Sequence, residues 1–195
     1  MKKLLWLLPL CTILYACPFE SAVALEKKPV EPVDTTLYGY WYGIVKDGSD
    51  YFGIEALDIA PQSDSVYAIT RYGKAIKGDI ILPDTAYFTG YTSYIGEQRY
   101  MNIVADILIE TPRKNSKMRD MIKQRVYYIA KIDRSNDTLF VKTVTDGFSK
   151  KKNFGSPEEF RQAILSLTTG NINIYDDQYS LSYRKIPKPP LSRSF

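Results

Sequence analysis

Between residues 100 and 109 the chain alternates so regularly that a single backbone conformation accounts for it. Met101, Ile103, Ala105, Ile107 and Ile109 fall on one face of an extended strand, with Asn102 and Asp106 on the other. Val126, Tyr128, Ala130 and Ile132 repeat the pattern against Lys131 and Asp133. Ser135-Asn136-Asp137 then turns the chain into a partner run at 138–143, a hairpin joined by a polar loop. Earlier runs at 38–45, 51–59, 65–71, 75–82 and 86–91 are rich in aromatic and β-branched residues. Asp47-Gly48, Pro61, Tyr72-Gly73 and Pro83-Asp84 bound them. A chain patterned this way predicts a mainly β fold, either an antiparallel β-barrel or a sandwich-like sheet.

One α-helix is expected after the strands. Ser156-Pro157-Glu158-Glu159 combines an N-cap serine, proline at the first helical position and acidic residues that oppose the helix dipole. Phe160, Ala163, Ile164 and Leu167 follow at i, i+3, i+4 and i+7, a single apolar stripe that needs a surface to cover. Gly170 ends it. Residues 172–174 and 179–185 read as a returning strand or hairpin, Asp176-Asp177 as a turn, and Pro187, Pro189 and Pro190 as a tail.

Composition excludes much chemistry. The 195 residues contain no histidine, and the two cysteines, Cys11 and Cys17, both lie near the N-terminus. Ser-His and Cys-His nucleophilic machinery is thereby absent, as is a His- or Cys-ligated metal site. No cofactor and no metal are expected. Paired carboxylates remain as possible hydrolytic groups: Glu55 with Asp58, Asp106 with Glu110, or Asp176-Asp177. Each has a simpler account as a solvated strand face or a turn, so no catalytic residue is assigned and the chain is read as a non-enzyme. Asp47-Gly48-Ser49-Asp50 has too few ligands for calcium and reads as a hairpin turn.

The N-terminus carries an address. Met1-Lys2-Lys3 precedes an apolar run from Leu4 to Tyr15 that is too short to span a bilayer and is broken by Pro9. Two cleavage sites compete. One places Cys17 at the new N-terminus, after Leu14-Tyr15-Ala16; the other follows Ala22-Val23-Ala24 and would release a secreted or periplasmic protein. Beyond it, 18–36 reads as a charged, proline-rich linker. The expected organisation is a signal peptide at 1–16, anchor and flexible linker at 17–36, one β domain at 37–186 and a tail at 187–195.

Leu14-Tyr15-Ala16-Cys17 resembles the lipobox of bacterial lipoproteins. Cys17-Pro18-Phe19-Glu20-Ser21, followed by an acidic, proline-rich linker and a Leu-Tyr-Gly-x-Trp strand at 37–41, resembles the start of small envelope lipoproteins of Gram-negative bacteria, most of unknown function. That resemblance implies acyl chains on Cys17 and, with Pro18 next rather than Asp, residence at the outer membrane. Gly39-Tyr40-Trp41 is similar to the Gly-x-Trp that opens the first strand of lipocalin-like barrels, which implies a basic residue on a late strand over the Trp ring; Arg184 lies in the right region. That second resemblance implies a carrier of a small apolar ligand.

Tyrosine is the commonest aromatic, 16 of them. Tyr38, Tyr40 and Tyr42 share a strand face, and Tyr87, Tyr91 and Tyr94 follow close together. Such rows suit a glycan, peptide or protein partner, and equally the outer face of a sheet. Arg113, Lys114, Lys117, Arg119, Lys123 and Arg125 form a basic run with only Asp120 among them. It reads as a solvated loop or exposed short helix, or as a surface for lipid headgroups or anionic glycans. Lys150-Lys151-Lys152 is a shorter run of the same kind. The near-balanced charge, +4 overall, does not point to nucleic acid. The sequence thus predicts a lipid-anchored envelope protein with a non-catalytic binding or scaffold role; the alternatives are a lipocalin-like carrier and, third, a carboxylate hydrolase.

Overall fold

The computed structural model describes residues 18–47, 51–77, 80–112, 119–149 and 153–189. Eight strands follow one another: β1 (Gly39–Asp47), β2 (Tyr51–Ser63), β3 (Val66–Lys77), β4 (Ile80–Ile95), β5 (Gln98–Pro112), β6 (Arg119–Ser135), β7 (Thr138–Val144) and β8 (Tyr175–Ile186). Each pairs antiparallel with the next, and β8 returns to β1, so the sheet closes into a barrel rather than splitting into a sandwich. Closure removes the edges that an open antiparallel sheet would present.

The alternation seen in the sequence becomes inside and outside. Met101 and Ile103 pair across β5–β6 with Ala130 and Tyr128, all facing the lumen. One end of that lumen is solidly filled by Leu37, Trp41, Tyr67, Ile69, Met101 and Tyr183. A short 3-10 helix, Thr35–Leu37, lies across this end and drops Leu37 into it. The indole Nε1 of Trp41 donates to the Leu37 carbonyl at 2.8 Å, so the buried ring keeps its polar atom satisfied.

The opposite faces of β5 and β6 are covered too. Helix α1 (Pro157–Thr169) is capped as expected, the Ser156 hydroxyl accepting from Glu159 N at 3.2 Å. Its stripe, Phe160 and Ile164 fully buried, packs with Tyr100 and Ile129 on the outer wall. Phe154 stacks on Phe160 at 4.6 Å, and Phe19 meets Phe148 edge-on at 4.9 Å. This second core lies outside the barrel.

Phe19 belongs to the segment expected to be a flexible linker, and that expectation is corrected. Pro18 bridges to Thr145 and Ser21 to Tyr127, filling the wedge where β7 ends and β6 continues. Leu25 is fully buried, its amide donating to Asn102 Oδ1 at 2.7 Å. Asn102 in turn donates to Ser93 Oγ and to the Tyr91 carbonyl, so this buried amide is satisfied on both sides. The segment climbs the outer wall to Asp34, which meets Arg99 at 2.6 Å beside the 3-10 helix. Polar composition misled the sequence reading: Glu20, Lys27 and Lys28 are exposed while a few apolar residues hold the strip down.

Strand limits also shift. Gly73 does not turn the chain but continues β3 opposite Glu55. Pro83 lies within β4, paired with Lys74, in the half of that strand that pairs only on its β3 side among the described residues. The run expected at 75–82 thus straddles the end of β3 and the start of β4. Asp176-Asp177 is part of β8, not a turn. The turn at Asn136 is as expected, with φ of 53°.

Two measurements test this packing. Phe19→Ala should cost about 3–5 kcal/mol of stability, as for other buried aromatics, read as a lower urea midpoint; a change below about 1 kcal/mol would mean that the segment is a free tether. Burial acts to raise the Asp34 carboxyl, but hydrogen bonds from Thr36 and Arg99 outweigh it and hold the pKa below its ordinary value. A lowered folded pKa gives stability that is present above the unfolded pKa of about 3.9 and is lost as pH falls through the folded value. Thermal unfolding at pH 5 and below pH 3 should therefore show a smaller acid loss for Asp34→Asn than for the parent.

Candidate functional site

The lumen is filled at one end, and among the described residues some of its apolar lining is only part-buried. Packed against this plug, with Leu57 opposite Trp41 and Phe88 opposite Ile69, the inward side chains of Leu57, Phe88, Ile103, Val141 and Leu181 are only part-buried. Inward positions alternate the small Gly73, Ala86 and Ala105 with the large Trp41, Tyr67 and Tyr183. An eight-stranded barrel is just wide enough for side chains or one small ligand, so residue size decides which it holds.

Polar groups punctuate that lining at defined points. Tyr183 of β8 lies over Gly43 of β1, where an added Cβ would meet its Cδ1 at 2.8 Å. The absence of a side chain lets the ring cross β1, and its hydroxyl donates to Glu55 Oε1 of β2 at 2.5 Å. Arg71 of β3 stands 3.9 Å from the other Glu55 oxygen, with 35 % of its side chain exposed. Burial first, then the Glu55 charge and hydrogen bond, pushes the Tyr183 phenol well above its ordinary pKa, so it remains a neutral donor. Across the lumen, Tyr128 of β6 donates to Glu20 at 2.8 Å. Burial and that carboxylate raise its phenol to about 12.

Glu55 and Arg71 were not singled out as a pair from sequence, though a signal existed. Arg71 shares register with Tyr67 and Ile69, and Glu55 with Leu57 and Ile59, so both charges fall on the apolar face of their strands. Charges on the inward face of a barrel need a partner there. The expected cation over Trp41 is also corrected. The β1–β8 register sets Trp41 opposite Lys185, whose Nζ lies 5.2 Å from the ring centroid; Arg184 is opposite Tyr42 and exposed. Gly39, at φ +126°, would clash with the Lys185 stem if it carried a Cβ.

The six candidate tyrosines do not form one surface. Tyr40, Tyr42 and Tyr87 face outward on β1 and β4, joined by Tyr72 of β3, which the sequence reading missed; Tyr40 and Tyr72 are 6.1 Å apart. Tyr87 is the most open, at 77 %. Tyr38 instead packs edge-on against Tyr67 at the closed end. Tyr91 is corrected: it is buried beneath the N-terminal segment, donating to the Glu26 carbonyl at 2.7 Å. Tyr94 stands at the closed end, its carbonyl accepting from Arg161. Cys17 lies outside the described residues.

The carboxylate pairs do not converge. Glu55 faces the lumen and Asp58 the outside, where it meets Lys188. Asp106 and Glu110 stand on the outer face of β5 and are held by Lys123, Arg125 and Arg119. Those three cations lie on strand β6 rather than on a loop or short helix; Arg113, Lys114, Lys117 and Lys150-Lys151-Lys152 are outside the described residues. Among the described residues no group of three potential ligands could hold a metal ion.

These features define an up-and-down eight-stranded β-barrel plugged at one end. No protein-family model, curated protein or solved structure matches the chain.

Tyr183→Phe keeps the ring over Gly43 but leaves Glu55 without its hydroxyl donor. Stability should fall by about 1–3 kcal/mol, the cost of a buried acceptor losing its partner, with an unchanged denaturant slope. No change in the urea midpoint would show that water replaces the bond at no cost.

Proposed function

We propose that this chain is a non-catalytic binding protein of the cell envelope, held to the outer membrane by acyl chains on Cys17, whose barrel takes up one amphipathic molecule with an apolar body and a polar head. The observation that carries this is the lumen's lining: beside the fully buried plug, the apolar inward residues Leu57, Phe88, Ile103, Val141 and Leu181 are only part-buried. An apolar wall with a few placed polar groups suits a small ligand. The head would sit where Glu55, Arg71 and Tyr183 meet, the tail along Leu57, Phe88 and Ile103. This favours the carrier reading that accompanies the Gly39-Tyr40-Trp41 resemblance to lipocalin-like barrels over a purely structural scaffold.

Packing supports cleavage before Cys17. A cut after Ala24 would remove Phe19 from the outer aromatic cluster and Ser21 from its bridge to Tyr127, stripping a buried part of the fold. A cut before Cys17 retains both. A second reading rests on Tyr40, Tyr42, Tyr72 and Tyr87, an outer wall that would suit a glycan, peptide or protein partner.

Two experiments decide. Titration with a dansylated undecanoic acid should give saturable fluorescence, and Ile103→Trp, which adds bulk among the part-buried lining residues, should weaken binding by about tenfold or more. Equal binding by both proteins would move the site out of the lumen. Separately, Cys17→Ser should shift the protein from the membrane to the soluble fraction, with loss of acyl mass; full processing and solubility in both forms would sink the anchor.

A further inference from the structure

The outer wall of β1 to β4 is poor in charge. Register lines up Tyr40, Asp58, Thr70 and Tyr87 in one row across it, with Tyr42 and Tyr72 in the row beside, on either side of Ala56. Ala56 faces outward there, yet it is buried. Among the described outward residues of these four strands, Asp58 carries the one charge. The outer face of the β5–β6 hairpin is the contrast, with Asp106 and Glu110 held by three cations. A strand face left to water is expected to resemble that hairpin. A wall of tyrosine, threonine and alanine suits contact with another stretch of chain.

The C-terminus of the chain runs toward this wall. β8 ends at Ile186, opposite Tyr40 of β1. Two residues further on, Lys188 reaches over β1, and its Nζ donates to Asp58 of β2. Tyr40 and Tyr72 flank the pair. Burial first, then Tyr72 and Asp58, pushes the Tyr40 phenol up, while Lys188 opposes that shift. The one charge of the wall is thus taken by the tail.

The sequence beyond this contact fits the rest of the wall. Pro187, Pro189 and Pro190 favour the extended polyproline II form, and Leu191 and Phe195 supply apolar side chains after them. Proline-rich segments in that form dock on aromatic surfaces, because they lose little entropy on binding. Thr70 and then Tyr87 lie one and two strands past Asp58, about 10 Å away at the usual strand spacing. Residues 189–195 reach about 22 Å at about 3.1 Å each, enough to cross both strands.

We propose that residues 189–195 form a strap across the outer wall of β1–β4, latched by Lys188 on Asp58 and laid against Tyr72 and Tyr87. The strap occupies the wall that would otherwise suit a glycan, peptide or protein partner, and such a partner must displace it. It depends on that outer wall and is independent of the lumen and the anchor.

Acrylamide quenching in the full chain tests the strap. Leu191→Trp adds one reporter to the tail, while Trp41 is fully buried and shielded from the quencher. Relative to the parent, the reporter's quenching constant should be about threefold lower than that of the same residue in a free peptide of residues 187–195, because an ion pair and aromatic contacts hold it. Lys188→Glu sets like charges together and should raise the constant to that of the peptide; adding Asp58→Lys should restore the shielding. Tyr72→Ala with Tyr87→Ala, both at exposed positions, should release the tail at an unchanged urea midpoint. Quenching in the full chain equal to that in the peptide, or shielding that survives Lys188→Glu, overturns the strap. Shielding lost on dilution assigns the wall to the tail of a second copy and overturns it as well. Uptake of the dansylated acid is scored separately: shielding without uptake keeps the strap and removes the lumen ligand, and uptake without shielding does the reverse.

Discussion

Closure of the barrel depends on Tyr183 crossing over Gly43. β8 arrives after a helix and a long connection, so no tight turn sets it against β1. Among the described residues, backbone pairing between the two covers Tyr40–Tyr42 against Arg184–Ile186. Side chains extend that short seam: Tyr183 spans from β8 across β1 to Glu55 on β2, and Lys185 covers the Trp41 ring. Glycine weakens most strands because it packs nothing. At position 43 its lack of a side chain admits the ring that ties three strands together, and the plug at Leu37 and Trp41 builds on the same seam.

Two cores divide the work of stability. The inner one is dense at the plugged end, around Leu37, Trp41, Tyr67 and Tyr183. The outer one, between β4–β6, α1 and the N-terminal segment, is thoroughly buried. Both are needed, because a barrel wall covered on only one face would leave the apolar residues of the other in water.

Strand alternation made the inner face legible. The reading of Met101, Ile103 and Ala105 against Asn102 and Asp106 holds, as does the face formed by Val126, Tyr128, Ala130 and Ile132, and the capped helix lies where its signals place it. Sequence pattern could not show that the polar-reading side of β5 is also buried. Asn102 looks like a solvent residue until Leu25, distant by 77 positions, brings it an amide. Tyr91 misled for the same reason. Gly73 and Pro83 signal turns locally, but pairing across β2–β3 and β3–β4 overrides them. The lumen charges were visible in principle, since Glu55 and Arg71 break the apolar register of their strands; recognising them as partners needed the register between the strands. Arg184 and Lys185 were inseparable without it, because a one-residue difference in register exchanges the two faces.

The N-terminal strip changes what an anchor at Cys17 would do. A flexible linker of about twenty residues would let the barrel wander some tens of Å from its attachment and turn freely. A strip packed from Pro18 onward permits neither. Pro18 and Ser21 seat against Thr145 and Tyr127 part-way along the wall, and the strip then climbs to Asp34 at the plugged end, where Arg99 and the 3-10 helix hold it. An acyl chain on Cys17 would therefore hold the barrel close to its attachment and in few orientations, because one peptide unit separates that residue from the first packed one.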